Sequence, residues 1–594
     1  MPNGRDKGAR CFDVVVIGGG MSGMATAARL QARGLSTVVL EAHGLVGGCA
    51  GYFRKSGYSF DVGATTLVDF EPGGVGGGLL EEIGLDADCG DDLPGYVAWL
   101  PDRTVTLYRD HELWTVERAS KLGDTPGHRK FWRLLDELAD VFWDAARHGA
   151  RLPVTSARGV REAARTVPWQ KWHLARYLTW SMEDAMRHAG VNDDDALRGL
   201  VSMLLEDTVH ASPGNAPLVN GALGLTIRGA GLKRATGGMR GFWETLTARY
   251  RELGGVLRVG TRVERVRRSP DGAFEVATRR GSFYGTQVVS SLPIWNSRDL
   301  MPEVAEGLSR FCERDATSLG GAVVMFMGVS EDEVNDSAFT HHQILDDYRR
   351  PLGRGNNMFI SVSTRGDSLS APTGHRAVMV STHTELSDWE GLGEGEYAER
   401  KHEIGETLLS HARRVYPRLG ERATVVEVGT PRTYSKYTHR YRGATGGIRA
   451  TPRNSNQHAV PYDIGVAGYW QVGDTTWPGL GTVACVLASS HVADGVVAAA
   501  KRIGRRGVVR SLPVRQQARN RNAATPARHT PTLGLRLVDL GGFGSQAERE
   551  QCPSLLEHCR ASEVPETPGG ALRALARCAA PCVHCEQRTP PANR

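Results

Sequence analysis

The chain has 594 residues, 40% of which are hydrophobic, so it is long enough to bury a large core and to form more than one domain. Its formal net charge is +6, but the residues from 505 onward hold 14 Arg and 7 acidic residues, which leaves 58 basic against 59 acidic residues before them. The main body is therefore close to neutral, and we expect no nucleic-acid partner. The first ten residues are polar and no secretory-type apolar run follows them, so the sequence predicts a cytoplasmic protein whose cysteines are thiols.

A nucleotide-binding unit is predicted at the start of the chain. Residues 13–17 form a short run of β-branched residues that is typical of a buried strand, and residues 36–40 predict a second one. Helix-forming residues lie between the two runs, and Glu41 stands at the end of the second. The spacing G-x-G-x-x-G follows the first run, at Gly18, Gly20 and Gly23. Strand, glycine turn, helix, strand and acid together match a dinucleotide-binding βαβ unit, which the glycine spacing alone would not establish.

Each part of this motif has a physical reason. The first glycine permits the tight turn, the second lets a pyrophosphate approach the backbone, and the third lets the helix pack on the strand. The helix N-terminus presents unpaired N–H groups and the positive end of its dipole to the phosphates. The Glu41 carboxylate is suited to accept hydrogen bonds from ribose hydroxyls and disfavours a ribose 2′-phosphate, so NADP is not expected.

A second set of glycines follows the first motif. Gly47, Gly48 and Gly51 come soon after Glu41, and the stretch FDVG ends at Gly63. Together with the first motif, these residues resemble the FAD-dependent amine-oxidase-like flavoproteins, and within them the branch of phytoene desaturases, carotenoid isomerases and retinol saturases. The stretch FDVGATTLVDFEPGG is most similar to carotenoid desaturases. The resemblance implies an α/β fold with FAD as cofactor: a Rossmann-like, GR2-type FAD-binding domain with an interleaved α+β substrate domain.

An independent resemblance lies far downstream, in the stretch GYWQVGDTTWPGLGTVACVLASSHVADGV. It is similar to the closing flavin motif of the same family, V-G-D-x-x-x-P-G-x-G, which leads into a helix that begins here at Thr482. The resemblance implies that Gly473 and Asp474 meet the ribityl–phosphate region of FAD. It also implies that the helix N-terminus favours negative charge on the reduced cofactor.

The helix predicted after this motif has two interpretations. Residues 482–500 are apolar enough to suggest a membrane span. However, Ser489, Ser490, His491 and Asp494 would be costly in lipid, so we expect a buried helix of the flavin domain. The Ser-Ser pair stands where the family frequently has Ser-Gly, which affects only the packing of the helix.

The middle of the chain matches the family more loosely. Residues 234–268 predict a glycine turn, an amphipathic helix and strands, and the resemblance implies that Val263 contacts adenine through its backbone. Together the matches extend over residues 12–503. The resemblance assigns these residues to FAD binding: Gly18, Gly20, Ser22, Gly23, Glu41, Ala42, Gly47, Gly48, Gly63, Val263, Gly473, Asp474, Gly481 and Thr482.

Domain boundaries follow from the same resemblance. Residues 12–504 form the predicted oxidoreductase, with 12–98, 230–300 and 465–504 binding FAD and 99–229 and 301–464 forming a substrate domain or lid. Residues 505–594 form a tail whose first part is basic and poor in large apolar residues, which predicts disorder. The tail holds half of the cysteines, at positions 552, 559, 578, 582 and 585, and its C-x-x-C pair has metal-ligand chemistry. We expect an unstructured extension rather than a metal site, so no metal is predicted.

The substrate and its location are indicated by the composition of the middle region. Residues 99–180 contain seven of the 12 tryptophans, and the stretch VPWQKWHLARYLTWSMEDAMRH mixes Trp with basic residues. This stretch is either an ordinary amphipathic helix with a core face or an interfacial helix that enters the lipid headgroup region. The family resemblance implies an apolar polyene substrate that must be extracted from a bilayer, so we expect a peripheral membrane protein on the cytoplasmic side. The sequence does not indicate which oligomeric state the protein has.

An acidic pair interrupts an apolar segment in the stretch LLEDTVHAS. Glu206 and Asp207 match a pair that family members carry in a comparable segment, so one interpretation is a general base and the other is a solvated helix end. The resemblance implies desaturation, in which a hydride passes to flavin and a proton leaves the adjacent carbon. Carotenoid isomerisation or retinol-type saturation with reduced FAD are the open alternatives. A non-catalytic prenyl-binding escort is disfavoured by the intact glycines and by Glu41 and Asp474.

Overall fold

The computed structural model describes residues 11–87, 89–154, 157–227, 229–270, 272–334 and 337–505. All of them belong to one compact unit, which extends over Met1–Arg515. The predicted tail from residue 506 onward, with its five cysteines and the C-x-x-C pair, lies outside the described residues.

The strands in chain order are β1 (Cys11–Ile17), β2 (Thr37–Leu40), β3 (Tyr52–Lys55), β4 (Tyr58–Asp61), β5 (Leu67–Val68), β6 (Gly90–Asp92), β7 (Gly95–Trp99), β8 (Thr104–Tyr108), β9 (Leu232–Ala235), β10 (Val256–Arg258), β11 (Val263–Arg268), β12 (Phe274–Thr278), β13 (Gly281–Ser290), β14 (Gly321–Ser330), β15 (His341–Leu345), β16 (Asn357–Val362), β17 (His375–Thr384), β18 (Val425–Gly429) and β19 (Tyr469–Gln471). The α-helices are α1 (Met21–Ala32), α2 (Val75–Glu82), α3 (His111–Leu122), α4 (Pro126–Arg147), α5 (Ala157–Thr166), α6 (Met182–Ala189), α7 (Asp195–Val209), α8 (Leu218–Leu225), α9 (Gly238–Glu252), α10 (Ile294–Arg298), α11 (Pro302–Arg314), α12 (Glu394–Ala412), α13 (Pro431–Thr438) and α14 (Thr482–Arg505).

The first sheet contains the predicted strand–helix–strand unit. Its order is β10-β2-β1-β13-β12-β11, and β19 pairs with the end of β13. β10, β2, β1, β13 and β19 run parallel, and α1 connects β1 to β2, as in a dinucleotide-binding fold. Val14 and Val16 pack with α1, α9 and α14, whereas Val15 packs with α10 and α11 on the opposite face. Helices therefore cover both faces, which explains the uninterrupted β-branched run.

Helix α14 is a core helix of this domain. Among the described residues, its segment Thr482–Arg502 is the one that is long and apolar enough to cross a membrane, with a mean hydropathy of 1.6. Val486 and Val492 are nevertheless fully buried in the core that α1 also enters. Arg29 of α1 donates a hydrogen bond to Ser489 Oγ at 3.3 Å. Protein therefore covers much of the apolar face, and Ser489, one of the polar residues that would be costly in lipid, has a partner here.

The second sheet has the order β18-β14-β17-β16-β15-β7-β8. One face forms a closed core with α12, in which Met325, Ile360 and Leu408 are all buried. The other face is partly covered by the hairpin β3–β4, through Tyr58 and Phe60. Helix α7 packs against β15 of this sheet. The face that carries the β3–β4 hairpin is called the inner face. Part of it is turned toward helices α3 to α8, which precede β9 in the chain.

Those helices form a layer with its own apolar core, which β7 and β8 also enter. The sequence predicts a single amphipathic helix over residues 167–188, but the structure divides it into the 3-10 helix Trp169–Thr179 and α6. The division has a local cause. Ser181 Oγ accepts a hydrogen bond from Asp184 N at 3.2 Å, and the Asp184 carboxylate accepts one from Ser181 N at 2.9 Å. This capping box starts a new helix at that point.

Candidate functional site

The glycine turn between β1 and α1 has the geometry that its motif predicts. Gly18 has φ +95°, and a Cβ there would lie 2.7 Å from Ser291 Oγ. A Cβ on Gly23 would lie 2.1 Å from the Gly18 carbonyl oxygen, so any side chain would push α1 away from β1. A Cβ on Gly20 would meet no atom within 4 Å. Open space therefore lies beside the N-terminus of α1, whose first turn holds the buried Ser22 and whose free N–H groups suit a phosphate.

Glu41 lies at the carboxyl end of β2 and forms hydrogen bonds with the loops that follow β1, β2 and β10. Its carboxylate accepts a hydrogen bond from Gly19 N at 2.6 Å and another from His43 N at 2.7 Å. Its carbonyl oxygen accepts one from Thr261 N at 2.7 Å, two residues before Val263, where β11 begins. Burial raises the pKa of Glu41, and the hydrogen bonds from the backbone partly offset that rise.

The second glycine loop packs directly on the first turn. Gly47 N donates a hydrogen bond to the Gly19 carbonyl at 2.8 Å. Gly47 has φ +119°, and a Cβ there would lie 2.7 Å from Trp243 Nε1. A Cβ on Gly63 would lie 2.4 Å from the Cys49 carbonyl oxygen. Close approach of the Trp243 side chain to Gly47 and of the Cys49 backbone to Gly63 thus requires glycine at these positions.

Asp61, in the same FDVG stretch as Gly63, has a structural role. Its buried carboxylate accepts a hydrogen bond from Met239 N at 2.8 Å, in the first turn of α9. It also pairs with Arg234 at 3.2 Å. A carboxylate at this position satisfies a free N–H group and complements the dipole of α9, so Asp61 anchors that helix beside the loop.

The closing motif turns at three glycines. Gly473, Gly479 and Gly481 have φ values of +141°, +119° and +106°, which favour glycine. A Cβ on Gly479 or Gly481 would meet no atom within 4 Å. The loop therefore borders open space immediately before Thr482, where α14 begins and presents its N-terminal N–H groups.

Asp474 has a partner that no sequence motif marks. Arg440 donates to Asp474 Oδ2 at 2.8 Å and to the Ala444 carbonyl oxygen at 2.7 Å. Burial lowers the pKa of Arg440, but Asp474 and the neighbouring Cys49 thiol raise it by more, so that its net pKa is raised. This part-buried ion pair holds the Asp474 carboxylate in one position beside the closing glycines.

The predicted cofactor residues meet at one edge of the first sheet. Gly18 follows β1, Glu41 follows β2 and Gly473 comes two residues after β19. Ala42 and Gly48 belong to the loop that continues from Glu41. Ligands of open parallel sheets bind outside the carboxyl ends of the strands. Gly20, Gly479 and Gly481 border open space, and the Glu41 carboxylate and two helix N-termini lie at the same edge. This arrangement fits a dinucleotide with two phosphates, so the residues present fit FAD.

A largely apolar cavity of about 160 Å³ adjoins the closing motif. Pro478, Gly479 and Leu480 form one wall, and side chains from α4, α7, α8 and α14 form the others. The apolar lining includes Trp143, Val209, Leu223, Ile227, Val483 and Leu487. Polar residues also line the cavity, among them Asn220, Asn454 and Asp474, so its apolar part is suited to an apolar ligand.

The acidic pair lies in the last turn of α7 and faces β17. His383 Nδ1 is 3.9 Å from Glu206 Oε1 and 3.9 Å from Asp207 Oδ1. Gln343 donates a hydrogen bond to Asp207, and the His210 and His383 ring centroids are 4.5 Å apart. Burial lowers the pKa of His210 well below its usual value. The acids are only 14% and 24% exposed, so this pair is not an ordinary solvated helix end.

A glycine pair lies between this polar group and the closing motif. A Cβ on Gly446 would lie 2.0 Å from the His210 ring, and a Cβ on Gly447 would lie 2.1 Å from the Asp474 carbonyl oxygen. Sequence reasoning missed His383, although polar residues at alternate positions of the apolar strand β17 were a usable signal. In the ranges that the structure describes, no group of His, Cys, Asp and Glu could hold a metal ion.

The fold and the cofactor site define a flavoprotein of the amine-oxidase type. The family of flavin containing amine oxidoreductases matches residues 21–506. The chain belongs to that family and is an FAD-dependent oxidoreductase. The predicted fold class and the predicted cofactor are both confirmed.

Similar proteins are known for both sequence and structure. Prolycopene isomerase from Arabidopsis thaliana is 24% identical over 83% of this chain and 84% of its own length. Phytoene desaturase (lycopene-forming) from Paracoccus sp. is 23% identical over 81% of this chain and 96% of its own. The solved structure of cyclohexylamine oxidase from Brevibacterium oxydans has a TM-score of 0.52 and 15% identity, over 83% of this chain and 100% of that one. That last likeness concerns the fold alone.

Proposed function

We propose that this enzyme desaturates a carotenoid or a related isoprenoid polyene. The observation that carries the proposal is the largely apolar cavity beside the closing flavin motif, whose volume suits part of a hydrocarbon chain. Two relatives that match most of the chain are named for carotenoid substrates, which agrees with this choice.

The residues of the chain have separate parts in this reaction. Gly20, Glu41 and the closing glycines would hold FAD, which supplies a two-electron acceptor when bound. Apolar side chains such as Ile227 and Leu487 would orient the polyene and keep water out. Glu206 and Asp207 belong to the polar group, with His383, that would assist the departure of the substrate's proton.

Isomerisation is the second candidate function. The relative from Arabidopsis thaliana is named as an isomerase and matches as much of the chain as the desaturase does. The glycine turn, Glu41 and the closing motif would then hold FAD in its reduced form, which would supply the chemistry for rotation about a double bond without net oxidation. Retinol-type saturation is a related variant.

Association with a membrane surface would give the enzyme access to its substrate. Trp169 and Trp172 of the 3-10 helix are 73% and 55% exposed, and Arg165 and Arg176 are exposed beside them. Exposed Trp with Arg is the composition of an interfacial segment. Leu174 is buried on the other side of the same element, which packs against α8, and α8 lines the cavity. These features support the proposal that this element contacts a bilayer, which we expect to be on the cytoplasmic side.

The test is incubation of the purified flavoprotein with a panel of acyclic carotenes, first under air and then anaerobically with reduced FAD. Desaturation lowers the product mass by two hydrogens per step and moves its visible absorption to longer wavelength. Isomerisation changes the spectrum and retention time at constant mass. Recovery of every carotene unchanged under both conditions would refute the polyene assignment while leaving the flavoprotein family intact.

A further inference from the structure

The inner face of the second sheet carries polar side chains near the cofactor site. Gln343, Phe359 and Ser381 stand opposite one another across β15, β16 and β17 and therefore share a face. His383 follows two residues after Ser381, so it lies on the same face, in register with Ala322 of β14. Phe359, Ser381, His383 and Ala322 are each partly exposed, although the opposite face of the sheet is a closed core. This face is therefore not fully covered by the elements packed against it.

The two nitrogens of the His383 ring have different surroundings. Nδ1 faces the carboxylates of Glu206 and Asp207, each at 3.9 Å. Nε2 forms no hydrogen bond with any residue that the structure describes. An imidazole with one nitrogen oriented by carboxylates and the other open is the arrangement of a general base. Separations of this kind are frequently long until the substrate binds, so 3.9 Å is compatible with the role.

Neighbouring residues limit how the ring can turn. His210 packs edge-on against His383, with the ring centroids 4.5 Å apart. His210 is itself held by Gly446, where no side chain would fit. Gln343 donates to Asp207 and so fixes one of the two carboxylates that face Nδ1. The ring is therefore constrained on two sides, while the side with Nε2 remains available.

We infer that His383 is the general base of the desaturation, and that Glu206 and Asp207 are positioning residues that orient its ring. The inference rests on the proposed function. Desaturation breaks C–H bonds on two neighbouring carbons. One hydrogen leaves with its electron pair to the oxidant, FAD. The electron pair of the other C–H bond becomes the second bond of the new C=C, and its proton goes to Nε2 of His383.

The test compares His383→Gln with His375→Gln, a matched control at the other end of β17. General-base catalysis contributes about 10²- to 10⁴-fold, so His383→Gln should lower kcat by at least about 100-fold. Its FAD content and the absorption shift of bound carotene should stay at the wild-type level. His375→Gln should behave as wild type. In Glu206→Gln and Asp207→Asn, kcat should fall by less than in His383→Gln, and KM should stay unchanged. In a third variant, His383→Ala, added imidazole should restore part of the turnover.

A second readout does not depend on turnover. Diethyl pyrocarbonate modifies accessible histidine rings, and peptide mass spectrometry measures each one separately. Bound carotene should protect His383 at least about tenfold and leave His375 unprotected.

The outcomes separate the two proposals. Turnover of His383→Gln within threefold of wild type, or a His383 that bound carotene does not protect, would overturn the role of His383 alone. If His383→Gln loses FAD, its turnover cannot be used as a test. Protection of His383 from diethyl pyrocarbonate by carotene, measured on the wild-type protein, then tests the role of His383. A wild-type protein that neither binds nor converts any carotene would instead remove the proposed function on which the inference rests.

Discussion

Glu41 accepts two backbone hydrogen bonds at the edge of the cofactor site, from Gly19 and His43. Glu41→Ala leaves both N–H groups unpaired and removes the carboxylate that we propose as the acceptor for the ribose hydroxyls. We expect FAD binding to weaken by about 1.5–3 kcal/mol, the value of a hydrogen bond to a charged group. That loss corresponds to a rise in Kd of about 10- to 150-fold. The Kd is measured by titrating the apoprotein with FAD and monitoring the quenching of flavin fluorescence.

The control for this prediction is Glu264→Ala, which removes a half-exposed acid of β11 that pairs with Arg279. Its Kd for FAD should equal that of the wild type. An unchanged Kd in Glu41→Ala would show that the carboxylate does not contribute to the cofactor site.

At the scale of elements, the contact of α1 with β1 depends on the absence of a side chain at Gly23. Even one methyl group there would lie 2.1 Å from the Gly18 carbonyl oxygen, so Gly23→Ala should displace α1 and abolish flavin binding or folding. Gly78→Ala in α2 is the matched control, because its Cβ would meet no atom within 4 Å. In a helix interior that change is neutral or stabilising by up to about 1 kcal/mol. Flavin absorbance per protein measures flavin binding, and the thermal midpoint measures stability. Equal values of both in Gly23→Ala and Gly78→Ala would contradict the packing argument.

At the scale of the whole molecule, the exposed tryptophans predict binding to membranes. The double variant Trp169→Ser and Trp172→Ser should bind vesicles of mixed neutral and anionic lipid about 10- to 100-fold more weakly, because each inserted Trp contributes on the order of 1 kcal/mol or more. Its turnover of carotene in detergent micelles should remain at the wild-type level. Cosedimentation with vesicles in low and high salt is the measurement.

The matched control is Val426→Ser, which changes an apolar residue of β18 that is 54% exposed. Its vesicle binding should equal that of the wild type. If the double Trp variant also binds as the wild type does, the 3-10 helix is not the membrane-facing element.

Much of the cofactor site could be predicted from the sequence because its geometry is local. A glycine turn, a buried strand and a following acid are specified within about 30 residues, and the spacing of Gly18, Gly20 and Gly23 constrains where a phosphate can approach. The same holds for the closing glycines before α14, whose positive φ values few other residues adopt.

What only the tertiary structure decided lies between segments far apart in the chain. Arg440 reaches Asp474 from a different loop, and His383 meets Glu206 and Asp207 because β17 and the end of α7 are brought together by the second sheet. Even the Trp-rich stretch divided at Ser181, where a capping box prevailed over the amphipathic pattern. Periodicity and motifs report the backbone geometry of one segment. A side chain's partner across the core depends on how the sheets and helices pack, and that is settled only when the whole chain folds.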